Sequence, residues 1–116
     1  MRPDHLLLQD ILDAIAEVLD VMPADRAAFD GNKLLRSHVL RHIQIIGEAT
    51  SRLSPELKTR HPEVPWRSIA GMRHAIVHGY FDVDWNAVYG TAVRDVRSLR
   101  SAIQSILNSL PPDVAQ

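Results

Sequence analysis

Apolar residues recur three and four positions apart along most of the chain. Leu7, Leu8, Ile11, Leu12, Ile15, Val18 and Leu19 form one stripe between Asp4 and about Met22, which predicts an amphipathic helix with one face turned to a core. Leu35, Val39, Ile43, Ile46 and Ala49 repeat the pattern from Lys33 to about Arg52, and Val88, Ala92, Val96, Leu99, Ile103 and Ile106 carry it from about Asp84 to Leu110. Between the stripes the punctuation is that of turns. Met22-Pro23 closes the first helix, and Asp30-Gly31-Asn32 follows a short irregular or helical piece. Ser54-Pro55 reads as an N-cap with proline in the first turn of a short helix that stops before Pro62. Pro65 opens a helix expected over Trp66 to His78, with Gly79 as a left-handed C-cap. No segment alternates with period two, so a sheet is not expected.

Long amphipathic helices joined by short loops pack as antiparallel neighbours. The expected fold is therefore all-α, an up-and-down bundle of four or five helices in one domain spanning residues 1–116. With 116 residues, 46% of them hydrophobic, the chain is long enough to bury its own core. It has no cysteine, so disulfides and thiolate metal sites are excluded. Leu6 to Leu8 run directly into Gln9 and Asp10 rather than into a leader-like apolar core, and no apolar run reaches membrane-spanning length. The default expectation is a cytoplasmic protein with no membrane segment.

The formal net charge of −1 hides an uneven distribution. Residues 1–32 hold 2 Lys and Arg against 7 Asp and Glu, whereas residues 33–78 hold 8 against 3. Five of the six histidines, His38, His42, His61, His74 and His78, fall in that basic stretch. Local fields decide where phosphates gather, so a polyanion has a place to bind on a nearly neutral molecule.

Within it lies Arg73-His74-Ala75-Ile76-Val77-His78-Gly79-Tyr80. A permanent cation, an imidazole that titrates near neutrality and a phenol stand within about two helical turns. On a continuous helix Arg73 and His78 are about 140° apart around the axis, and His78 falls at the negative pole of the helix dipole, which favours imidazolium. Such a group can protonate a leaving alkoxide. The same residue types also have a structural use, with His78 capping helix carbonyls and Arg73 pairing with a carboxylate.

The octapeptide resembles the Arg-x4-His-x-Tyr form of the HEPN signature found in HepT-like toxins. Two further stretches are similar to that family: Arg41 through Ile46-Gly47-Glu48-Ala49, and Val64-Pro65-Trp66 leading through Ile69 to Gly71-Met72-Arg73. Family members often carry asparagine where this chain has His74. The resemblance implies an all-helical toxin that cleaves RNA without a metal or other cofactor, as a homodimer whose motifs meet in a cleft. It also implies a nucleotidyltransferase antitoxin that attaches AMP to Tyr80. Attack by a ribose 2′-hydroxyl on its own phosphate needs proton transfer and a cation for the equatorial oxygens. His78 would serve the first and Arg73 the second, with His74 as a helper. Glu48 reads as a buried acceptor that orients Arg41 or Arg73, or as half of a structural ion pair. A different class of reading is a dimeric helical adaptor that binds the nucleotidyltransferase without catalysis.

The histidines also pair at the four-residue spacing of metal ligands, His38 with His42 and His74 with His78. No carboxylate stands at the usual spacing beside them, so no metal site is assigned. Trp66 and Trp85 can stack on bases or anchor the core; Tyr89 is expected to pack.

Overall fold

A computed structural model describes residues 2–77 and 82–111. The helices are α1 (Asp4–Val21), α2 (Arg26–Asp30), α3 (Lys33–Arg52), α4 (Pro55–Arg60), α5 (Trp66–Ile76), α6 (Trp85–Gly90) and α7 (Val96–Ser109), the last two joined by a π-helical segment, Thr91–Asp95. Four long pieces make the bundle: α1, α3, α5 and the rod formed by α6, the π segment and α7. α1 lies along α3 in the most extensive of the helix contacts, α5 covers another side of α3, and α7 returns against α1. The all-α expectation holds, and among the described residues the nearest thing to a sheet is one isolated antiparallel bridge, Val77 with Val83.

Short polar side chains start four of the helices. Asp25, Asn32, Ser54 and Asp84 each accept a hydrogen bond from the backbone N–H three residues on, satisfying a donor that the first turn leaves free. The stripes read from the sequence become the core. Leu8, Ile11, Ile15 and Val18 of α1 meet Val39, Ile43 and Ile46 of α3 and Ile103 of α7, all fully buried or nearly so. The rod explains its own irregularity. Val88, Ala92 and Val96 are four apart, and two such steps would carry an ideal α-helix about 80° past its starting face. The wider π turn over Thr91–Asp95 takes up that excess, and all three side chains stay buried.

Gly47 sits where α3 and α5 come closest. A Cβ built there would stand 3.4 Å from the carbonyl oxygens of Ile69 and Ala70, so a larger side chain would hold the two helices apart. This approach brings the last turns of α3 and α5 into register.

One boundary differs from the expectation. α5 ends at Ile76 instead of running to His78, and its C-cap is the extended Val77 instead of Gly79. The reason is local. Val77 pairs with Val83 across the connection, and the Ile76 carbonyl accepts from the Asp84 N–H at 2.8 Å, so strand-like pairing replaces the next helical turn. The β-branched Val77 suits that geometry.

Candidate active site

The site is built on the C-terminal turns of α3 and α5. Arg73, in the last turn of α5, forms an ion pair through Nη1 with Oε2 of Glu48, in the last turns of α3. Its Nε donates to His74 Nε2 at 3.3 Å. A guanidinium can only donate, so Nε2 of His74 bears the lone pair in this arrangement. Glu48 also accepts from Arg52 Nε through its other oxygen, at 3.0 Å along the same helix. Thus one carboxylate and one imidazole fix the plane of the Arg73 fork. The Nη2 edge is not engaged by the described residues, and the Arg73 side chain is 31% exposed. The Nη2 donors that remain can meet a phosphate oxygen, and the guanidinium charge is fixed in place behind them.

Glu48 pairs with Arg73 and not with Arg41; it is half exposed, at 47%, and not a buried acceptor. Arg41 is exposed on α3 and makes no ion pair or hydrogen bond among the described residues; Glu48 is taken by Arg73 and Arg52. His78 and Tyr80 lie outside the described residues. The spacing and dipole effect expected for His78 require a helix reaching that residue, whereas α5 ends at Ile76. Val77 and Val83, on either side of the segment that carries both residues in sequence, are paired with each other.

The tryptophans differ in burial. Trp66 is buried, with its indole N–H donating to the His61 carbonyl at 2.9 Å, and is a core anchor. Trp85 is half buried, edge-on to Phe29, with the Arg36 guanidinium 5.2 Å from its ring centroid. Tyr89 packs against Phe29, as expected, and lies under Arg26. Glu17 was not legible as a site residue: it is a carboxylate from α1 that meets His38 and His42. Its place on the polar flank of the first stripe is visible in the sequence, but which helix faces that flank is not.

Residues 11–106 match the family model described as Ribonuclease HepT-like, and the chain belongs to that family. Among curated proteins it is similar to the probable ribonuclease HepT of Thermococcus cleftensis, with 32% identity over 91% of this chain and 98% of that protein. It is also similar to a Methanocaldococcus jannaschii protein provisionally named RNase MJ0125, with 29% identity over 94% of this chain and 95% of that one. No solved structure gives a significant match. Among the described residues no helix is long and apolar enough to cross a membrane.

Proposed function

We propose that the protein is a toxin that cleaves RNA without a metal, with Arg73 and His78 as its catalytic residues. The observation that carries this reading is the Glu48–Arg73–His74 arrangement, a partly exposed guanidinium held in one orientation beside the connection that bears His78. A 2′-hydroxyl attacks the adjacent phosphorus and the 5′ oxygen leaves, giving a 2′,3′-cyclic phosphate and a free 5′-hydroxyl. Arg73 stabilises the charge that builds on the equatorial oxygens, His78 gives the leaving oxygen its proton, and a second copy of the motif takes the proton of the attacking 2′-hydroxyl. One chain supplies few acid and base groups, so a homodimer with two motifs in one cleft completes the chemistry.

Cleavage of RNA by the purified protein in EDTA tests the proposal. Arg73→Ala and His78→Ala should each abolish cleavage and growth arrest while changing stability by no more than about 1 kcal/mol, the centre of the range for single substitutions. Undiminished cleavage in either variant would remove that residue from the mechanism. Cleavage that stops in EDTA and returns with a divalent cation would overturn the metal-free step. A protein that stays monomeric and cleaves at high dilution would overturn the dimeric site.

Restraint of the toxin falls to a nucleotidyltransferase antitoxin that attaches AMP to Tyr80. Each added phosphodiester brings about one negative charge and a bulky base toward a site that works by attracting phosphates. Tyr80→Phe should escape neutralisation by the partner enzyme with ATP. Intact-mass spectrometry decides the acceptor: AMP added equally to the Phe variant would show that another residue takes it.

A further inference from the structure

The groups that meet between α1 and α3 are not used by the cleavage site. Glu17 of α1 faces His38 and His42, one helical turn apart on α3, and one donor atom from each lies within 4.8 Å of the other two. His38 Nε2 is 3.1 Å from Glu17 Oε2, and the two imidazole rings are 4.3 Å apart between centroids. His42 Nδ1 stands 2.8 Å from the His38 carbonyl oxygen. A carbonyl only accepts, so Nδ1 carries the proton and Nε2 keeps a lone pair. Fixing the tautomer through a backbone carbonyl is how metal-bound imidazoles are commonly oriented. A His38–Glu17 ion pair accounts for one of these contacts. The i,i+4 spacing brings a second imidazole beside the first, tilted by 41° to it, with its Nε2 lone pair unused by the Glu17–His38 pair.

We infer that Glu17, His38 and His42 form a binding site for Zn²⁺ that clamps α1 to α3. Two imidazole nitrogens and one carboxylate oxygen suit a borderline cation in tetrahedral geometry, whereas Mg²⁺ and Ca²⁺ want oxygen ligands. Zinc bonds of about 2.0–2.1 Å place neighbouring ligand atoms roughly 3.3 Å apart, so donors within 4.8 Å close onto the ion by side-chain rotation alone. Glu17 and His42 line a groove between the two helices that also holds Asp13 and, further along, Glu48, from which water could supply a fourth ligand. None of the three ligands belongs to the Glu48–Arg73–His74 constellation. Zinc binding here and RNA cleavage in EDTA are therefore separate properties, and either can fail without the other.

Untagged, chelator-stripped protein titrated with Zn²⁺ by calorimetry, and with Co²⁺ by visible absorption, tests the site. One ion per chain is expected, with micromolar or tighter affinity, the visible bands of four-coordinate Co²⁺, and a higher melting temperature with Zn²⁺ than in EDTA, because the ion binds only the folded form. His38→Ala and His42→Ala should each weaken binding more than about tenfold, the scale at which even outer groups around a metal matter. Glu17→Gln should weaken it as well; that position is exposed, which keeps the test open if a histidine variant unfolds. His74→Ala should bind as wild type. No saturable binding below millimolar Zn²⁺, or binding that survives His42→Ala and Glu17→Gln, would overturn the assignment. Loss of binding in His74→Ala alone would place the metal at the motif and overturn it too.

Discussion

Gly47 precedes Glu48 at the point where α3 and α5 touch, so its size should govern both stability and the position of Arg73. A Cβ at this position would lie 3.4 Å from the Ile69 and Ala70 carbonyl oxygens and 3.7 Å from the Arg73 Cβ. These are ordinary van der Waals distances, and alanine therefore fits with both helices in place. Replacing a mid-helix glycine by alanine removes an entropic cost of about 0.5–1 kcal/mol. The added methyl group is buried, but two close carbonyls take up part of its roughly 0.8 kcal/mol transfer gain. The expected net is stabilisation of about 0.5–1 kcal/mol, seen as a rise of roughly 2–6 °C in Tm, with RNA cleavage unchanged. Leucine lacks this room. Its outer carbons would push α5 outward and draw Arg73 from Glu48, at about 1–3 kcal/mol for overpacking and a loss of cleavage of at least about tenfold from misplacement. Urea and thermal unfolding, run beside a cleavage assay, measure both effects. A clearly destabilised Gly47→Ala would show that the helices are too tightly apposed for a methyl group. A fully active Gly47→Leu would refute the claim that this contact positions Arg73.

Glu48→Ala removes both the Arg73 and the Arg52 ion pairs, yet these groups are half exposed and solvent-screened, so unfolding should lose less than about 1 kcal/mol. Cleavage should fall about 10- to 100-fold through kcat because the guanidinium loses its orientation; wild-type kinetics would remove Glu48 from the site. His74→Asn should keep most activity, since an amide oxygen can accept from Arg73 Nε as the imidazole does. Complete loss in a cleavage assay would mean that His74 itself moves a proton. Thr50 is fully buried and its hydroxyl has no hydrogen-bond partner among the described residues. Thr50→Val should therefore raise unfolding free energy by about 1 kcal/mol, and a lower urea midpoint would show that the hydroxyl is satisfied in solution.

Helical periodicity alone was sufficient for the bundle, because each stripe needs a buried face and consecutive helices joined by short loops have little choice of neighbour. The starts of the helices were equally legible where a cap is a local hydrogen bond, as at Ser54 before Pro55. The motif marked Arg73, and the spacing of Glu48 from Arg52 along one helix was visible in the chain. Other features depended on contacts between distant segments. The end of α5 was read two residues late because Gly79 is a strong local stop signal, whereas Val77 is drawn out of the helix by Val83, six residues further on. Arg41 and Arg73 were equal candidates for Glu48 until the approach at Gly47 fixed which side of α3 meets α5. Glu17 joined His38 and His42 only when α1 and α3 were laid side by side. Sequence spacing orders groups along one helix through its fixed rise and turn. Which faces of two helices meet is set by how their side chains interlock across the core, and that relation exists only in the folded molecule.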